Sequence, residues 1–171
     1  MSILSNEGTT FIVQGITGRE AVNRTRECLD YGKGAKVVGG VTPGRKGREV
    51  HGVPVFDTVA QAVEHHGGPI DGSVVTVPPA FTKDAVFEAL QNGIKIIVIV
   101  TERIPRRDVA QMVELADMHG ARIIGPNCLG IIVPDVIKMG GIGGPAKDAA
   151  KAYTPGSIGV ISRSGGMTTE M

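Results

Sequence analysis

Phe11-Ile12-Val13-Gln14-Gly15-Ile16-Thr17-Gly18-Arg19-Glu20-Ala21 runs from an apolar strand through a glycine turn into the start of a helix. A junction of that kind aims several backbone N–H groups at one spot, and the helix N-terminus adds partial positive charge there, so the spot suits an anion. Gly15 fits the tight turn, Gly18 a close backbone approach, and Ala21 the packing of helix on strand, although the run departs from the full G-x-G-x-x-G fingerprint. The theme returns at Val37-Val38-Gly39-Gly40-Val41-Thr42-Pro43-Gly44-Arg45-Lys46-Gly47-Arg48. A βαβ unit that takes NAD usually has an Asp or Glu at the end of its second strand, to bind the ribose 2′-OH. Here no acid precedes Glu49, and Arg45, Lys46 and Arg48 fill the turn instead. A nucleotide with an extra phosphate on its ribose fits better than NAD. The bland alternative is a solvated surface loop, and for Arg48 that reading is preferred.

Outward from this stretch, strand-like runs alternate with helical patterns. Strands are expected over residues 10–14, 36–40, 73–77, 94–100, 121–124 and 157–162, and helices over 18–29, 58–66, 82–91 and 106–119. The Val- and Ile-rich runs lack polar alternation, so both faces of the sheet should be covered. Gly32, Gly67-Gly68, Gly93 and Gly120 stand where those helices stop, Asp57 where an N-cap belongs, and Pro105 where the first turn of the last one starts. Strand–helix alternation with short connections means parallel strands joined by right-handed crossovers. The expected fold is α/β, a doubly wound, mostly parallel sheet of the dinucleotide-binding type over residues 1–125. At Gly125-Pro126-Asn127-Cys128-Leu129-Gly130 the pattern breaks, and residues 139–156 show little periodicity. Residues 126–171 are expected to open a second α/β domain that the chain leaves incomplete, stopping about a turn into a helix.

Composition excludes several classes. The 42% hydrophobic and 20% charged content suits a globular protein with a core, and with 4% aromatics and no Trp that core must come from Val, Ile, Leu and Ala. A net charge of +1 leaves no footprint for nucleic acid. No apolar run reaches membrane-spanning length, and the first residues lack a signal-peptide pattern. Cys28 and Cys128 have neither metal-ligand spacing nor a disulfide framework, so the expected compartment is the cytoplasm. The four histidines lack partners at metal-ligand spacing; His65, His66 and His119 close helices and His51 lies in a turn.

Further candidates follow later strands. Val77-Pro78-Pro79-Ala80-Phe81 and Val100-Thr101-Glu102-Arg103-Ile104-Pro105 should emerge at the carboxyl edge of the sheet, where ligands of open α/β sheets bind. Pro78-Pro79 would in any case end a strand ladder. A ligand reached by four successive loops would be long. Ser162-Arg163-Ser164-Gly165-Gly166 is a second strand-to-helix turn, readable either as a phosphate cradle or with Ser164 as a mere N-cap.

At these motifs the chain resembles the α subunits of succinate–CoA ligase and the wider ADP-forming acyl-CoA ligase superfamily. The likeness covers the whole chain, through Met1-Ser2-Ile3-Leu4, Gln14-Gly15, Thr17-Gly18, Val38-Gly39-Gly40-Val41-Thr42-Pro43-Gly44, Gly52-Val53-Pro54-Val55-Phe56, Thr101-Glu102, Gly125-Pro126-Asn127-Cys128 and Ser162-Arg163-Ser164-Gly165. The resemblance implies a Rossmann-like domain for coenzyme A, whose 3′-phosphoadenosine end needs cations, followed by a flavodoxin-like ligase domain. It also implies a ligase of the tricarboxylic acid cycle with a β subunit as partner. That partner carries ATP or GTP and Mg, and a small carboxylic acid is the substrate. By position, Thr17, Gly18, Arg19 and Glu20 would line the phosphate turn, Arg45 and Lys46 the second loop, and Val100, Thr101 and Glu102 a further contact. Val77, Pro78 and Asn127 complete the expected binding set, and Ser162, Ser164 and Gly165 would face a phosphohistidine. Three departures bear on activity. No histidine here matches the phosphorylated one, so no catalytic residue is expected in this chain and it should not turn over alone. Glu20-Ala21 replaces Gln-Gly, placing a carboxylate beside a pyrophosphate site. Ser-Gly-Gly-Met-Thr-Thr-Glu replaces Ser-Gly-Thr-Leu-Thr-Tyr-Glu, putting Thr169 where the succinate enzymes have Tyr and approaching the citrate-activating relatives (ATP-citrate lyase, citryl-CoA synthetase); a malate–CoA ligase is a further alternative. From another class, an NADP-linked oxidoreductase or a nucleotide-sensing domain stays open.

Overall fold

The computed structural model describes residues 4–32 and 36–157. The turn with Ser162, Ser164 and Gly165, and all but the first residue of the strand expected over 157–162, lie outside the described residues. In chain order the elements are β1 (Phe11–Gln14), α1 (Arg19–Leu29), β2 (Val37–Val41), β3 (Glu49–Val50), β4 (Val53–Phe56), α2 (Val59–His66), β5 (Gly72–Val75) and α3 (Pro79–Gln91). There follow β6 (Ile96–Ile99), α4 (Arg106–Met118), β7 (Arg122–Ile124), β8 (Gly130–Val133), β9 (Ile137–Gly140) and α5 (Ala146–Ala152).

Seven strands form one sheet in the order β3-β4-β2-β1-β5-β6-β7, parallel except where β3 runs antiparallel to β4. The order reverses direction between β1 and β5, which makes that gap the switch point of a doubly wound sheet. Register fixes where the gap opens. Gln14 lies opposite both Val41 and Val75, and Val75 lies opposite Ile99, so β2, β1, β5 and β6 end in one row. The four loops singled out in the sequence leave from that row.

Both faces are covered, as the unbroken Val and Ile runs require, but by different means. On one face α2, α3 and α4 bury Val59, Leu90 and Met112 against Ile12, Val75, Ile97 and Ile99. On the other, α1 brings Cys28, and the β8–β9 hairpin brings Ile137 and Met139, over Phe11, Val13, Val74 and Val98. Removing such side chains from water contributes roughly 1.5–3 kcal/mol each. The hairpin was not expected. Residues 126–140 follow the domain boundary expected after Gly125, yet in space β9 lies along α1.

Its anchor is Lys138, whose side chain is 0% exposed and pairs with Glu27 of α1 at 3.1 Å. Lys138 also donates to the Gly144 carbonyl. A buried ammonium is tolerable only when paired and hydrogen-bonded in this way. Three smaller differences have local causes. The β3–β4 hairpin hides behind Gly52 and Pro54, which read as loop punctuation. Pro78 and Pro79 begin α3, as N-cap and first residue, because a missing N–H costs nothing there. Pro105 likewise sits at the N-cap of α4, one place before its first residue.

Candidate functional site

The first glycine turn is built by its neighbours. Gly15 donates to the Val41 carbonyl at 2.7 Å and Gly18 to the Gly15 carbonyl at 2.9 Å, which folds the chain back before α1 starts. Gly15 holds φ +84°, and a Cβ there would meet Thr76 Oγ1 at 3.0 Å. A side chain would thus be strained and crowded at once. Below the turn, Gln14 is a buried hub. Its amide donates to the Ala85 carbonyl at 2.9 Å and accepts from Ser73 Oγ at 2.8 Å, while Thr76 Oγ1 donates to its backbone carbonyl at 2.8 Å. The hub ties β1, β5 and α3 together beneath the switch point. Gly18 caps α1 without a side-chain hydrogen bond, so the first amides of that helix are left for a ligand or water.

The second turn is built differently. Arg45 N–H donates to the Thr42 carbonyl at 3.1 Å, closing a turn with Pro43 and Gly44 at its centre. Gly44 holds φ +73°, as a type II turn demands at that position. A second turn follows, with Arg48 N–H on the Arg45 carbonyl at 3.2 Å. Asp57 is not the N-cap of α2. Thr58 takes that role, its hydroxyl accepting from Gln61 N–H at 3.2 Å. Asp57 instead accepts from the amides of Arg45 at 3.0 Å and Lys46 at 3.1 Å. Among the described residues, the side chains of Arg45, Lys46 and Arg48 have no ion-pair partner. The two turns touch where Thr17 Oγ1 lies 3.3 Å from Thr42 Oγ1.

Between them opens a cleft of about 750 Å³. Thr17, Gly18, Arg19 and Glu20 line it, as do Val77 and Pro78. Val41, Pro43, Ala85 and Phe81 give it an apolar wall, and Phe81 is 62% exposed although aromatic. Arg45 and Lys46 stand just past the lining, beyond Thr42 and Pro43. Val100, Thr101, Glu102 and Asn127 do not line the cleft but adjoin it in a chain of contacts: Thr101 Oγ1 donates to the Val77 carbonyl at 2.7 Å, and Asn127 N–H to the Thr101 carbonyl at 3.0 Å. Glu102 points to its neighbour Arg103, 3.5 Å away. Sequence reasoning missed Gln14, Phe81, Asp84 and Glu88 as lining residues. The last three recur at helical spacing on α3, a signal of one face turned to the cleft. Glu88 Oε1 also accepts from Val59 N–H at 2.8 Å, fixing the start of α2.

Residues 6–103 match the CoA binding domain family. The chain belongs to that family.

This CoA-binding domain is 42% identical to the α subunit of an ADP-forming succinate–CoA ligase from Aquifex aeolicus, over 99% of the chain and 53% of that protein. It is 41% identical to a subunit of an ADP-forming sulfoacetate–CoA ligase from an Acholeplasma species, over 100% of the chain and 55% of that protein. The chain therefore spans about half the length of the curated relatives it matches. Among solved structures, ATP citrate lyase from Methanothrix soehngenii in complex with citrate and coenzyme A superposes with a TM-score of 0.82 at 22% identity, covering 98% of the chain and 29% of that structure. That likeness is one of fold.

Among the described residues of the CoA-binding domain, no group of three or more His, Cys, Asp or Glu side chains is placed to hold a metal ion. Burial pushes the Cys28 thiol up to about 11, against the weaker opposing effects of the Gly140 carbonyl contact and of Lys138. Burial raises Cys128 too. Both thiols stay protonated near neutrality, so neither is an activated thiolate. No helix among the described residues is long and apolar enough to cross a membrane.

Proposed function

We propose that this chain is the coenzyme A-binding part of an α subunit of an acid–CoA ligase of the succinate–CoA ligase type, ADP- or GDP-forming, acting in the cytoplasm with a β subunit. The observation that carries the reading is an apolar cleft with the uncapped helix start at Gly18 in its lining, followed directly past Thr42 and Pro43 of the same lining by Arg45 and Lys46, whose side chains have no ion-pair partner among the described residues. Coenzyme A has a pyrophosphate, a base, a ribose 3′-phosphate and a long neutral arm. The residues present suit each of these. Thr17, Gly18, Arg19 and Glu20 would hold the pyrophosphate through backbone amides, while Arg45 and Lys46 would hold the 3′-phosphate. Phe81 and Pro43 offer the base an apolar wall. Val77, Pro78, Val100, Thr101, Glu102 and Asn127 would flank the arm. Coenzyme A itself supplies the thiol that takes the acyl group.

In this reading residues 126–171 lead into a flavodoxin-like unit, with the β8–β9 hairpin as its anchor on the first. Ser162, Ser164 and Gly165 would face a phosphohistidine outside this sequence, and nucleotide and Mg would belong to the β subunit. The acid is a small carboxylate. Succinate is the first choice on relatedness, with sulfoacetate, citrate and malate as competitors and the tricarboxylic acid cycle as the setting for succinate. Calorimetric titration and thermal shift test the binding half directly. Coenzyme A should bind more tightly, and raise Tm further, than dephospho-CoA, NAD or NADP; equal responses to all four would sink the proposal.

A further inference from the structure

We infer that Asp57 is a positioning residue for ligand recognition, a role that rests on the coenzyme A reading above: its carboxylate holds the basic loop in the shape that presents Arg45 and Lys46 to the ribose phosphate. The loop has little else to hold it at that point. Arg45, Lys46 and Arg48 are exposed, and among the described residues their side chains make no ion pairs. On the far side the loop is tied to β4, through Gly47 N–H on the Val55 carbonyl at 3.1 Å and Val55 N–H on the Arg48 carbonyl at 2.9 Å. At the cleft side the Thr42–Arg45 turn and Asp57 remain. One carboxylate oxygen, Oδ1, accepts from two consecutive amides, and hydrogen bonds to an ionised acceptor are about twice as strong as neutral ones. Those two amides belong to the same two residues whose cations would meet the ribose phosphate in the coenzyme A reading.

Asp57 is itself held. Its own N–H donates to Gln61 Oε1 at 3.2 Å, in the first turn of α2. The start of α2 is fixed in turn by Glu88 of the cleft wall, through Val59 N–H. A rigid frame thus runs from α3, which lines the cleft, through the start of α2 to the basic loop. A carboxylate near a phosphate site would by charge alone oppose the phosphate. Its net effect is favourable only if ordering the two cations outweighs that repulsion, so charge and geometry predict opposite signs.

The experiment compares coenzyme A with dephospho-CoA, which differ only in the 3′-phosphate, on wild type, Asp57→Ala and Asp57→Asn by calorimetric titration. Wild type should prefer coenzyme A. In Asp57→Ala the preference should fall by about fivefold or more, the size of one or two net hydrogen bonds, while dephospho-CoA binds within about twofold of wild type. Asp57→Asn keeps an acceptor oxygen without the charge and should restore the preference. A general loss of stability would weaken both ligands together. If Asp57→Ala lacks a cooperative melt, Asp57→Ser, polar but too short to reach both amides, is read in the same way. A wild type with no preference would overturn the coenzyme A reading of the loop. A wild-type preference that Asp57→Ala retains or enlarges would overturn the role of Asp57 and leave the coenzyme A reading standing.

Discussion

The two glycine turns at the cleft solve the same task by opposite means. The first offers backbone. Its amides are aimed by a helix, its glycine sits at φ +84°, and a buried hub at Gln14 fixes it from below. Ile16, wholly buried, seats it on Gly40 of the next strand. The second offers side chains, on a loop at the surface gripped by one carboxylate. In the coenzyme A reading proposed above, amides on a rigid seat would accept any phosphate that reaches them, whereas exposed cations would tell which ligand brings a further phosphate on its ribose. Affinity for the class and choice within it would then be separable in this fold.

Substitutions can break that separation. The largest effect belongs beneath the first turn. A Cβ on Gly40 would lie 2.4 Å from Ile16 Cγ2, so Gly40→Val should cost about 3 kcal/mol of stability, the upper range for an overpacked core. Chemical denaturation reads the loss, and binding of coenzyme A and dephospho-CoA should fall together. Next comes Gln14→Leu, which has nearly the right volume but strands the buried Ser73 hydroxyl, while the Ala85 carbonyl keeps its bond in the α3 ladder. Leaving such a group buried and unpaired costs about 2 kcal/mol, visible in the same denaturation midpoint. In the second turn the expectation reverses. Arg45→Ala combined with Lys46→Ala should leave the melting temperature of the free protein unchanged, since neither side chain has a partner among the described residues, and weaken coenzyme A about tenfold, ~1.4 kcal/mol. Dephospho-CoA should hardly notice.

The smallest effect concerns the helix that grows from the first turn. Cys28 is raised from 9.0 to about 11 by burial in α1. Its neutral form is favoured in the folded state, so the stability it contributes is complete below pH 9 and is lost as pH climbs through 11. Linkage puts the loss at roughly 1 kcal/mol by pH 10. Wild type should therefore lose stability between pH 8 and pH 10 more steeply than Cys28→Ala, and parallel slopes would show that the thiol does not titrate late.

The sheet was legible because its inner strands are rich in Val and Ile, and a run such as Ile96–Ile99 with no polar alternation can only be buried on both faces. The first glycine turn and the cations of the second were legible for a related reason, since their chemistry is local. What escaped was decided across distance. Asp57 beside a helix start reads as an N-cap, and only the fold reveals that its partners are amides 11 and 12 residues upstream. The hairpin escaped because β9 contains Lys138, a residue whose burial makes sense only with Glu27 in view. Gln14 reads as the polar end of a strand, and its role as a hub depends on two elements that come some 60 and 70 residues later.

Lys138 reaches its partner 111 residues back along the chain. Every residue lining the cleft precedes residue 89 in the chain, yet the back of α1 stays uncovered until β9 follows. The recognisable family segment, ending at residue 103, is thus shorter than the body that must close for α1 to be seated. A piece cut at that point would carry every residue that lines the cleft while exposing Phe11, Val74 and Cys28 on its rear face.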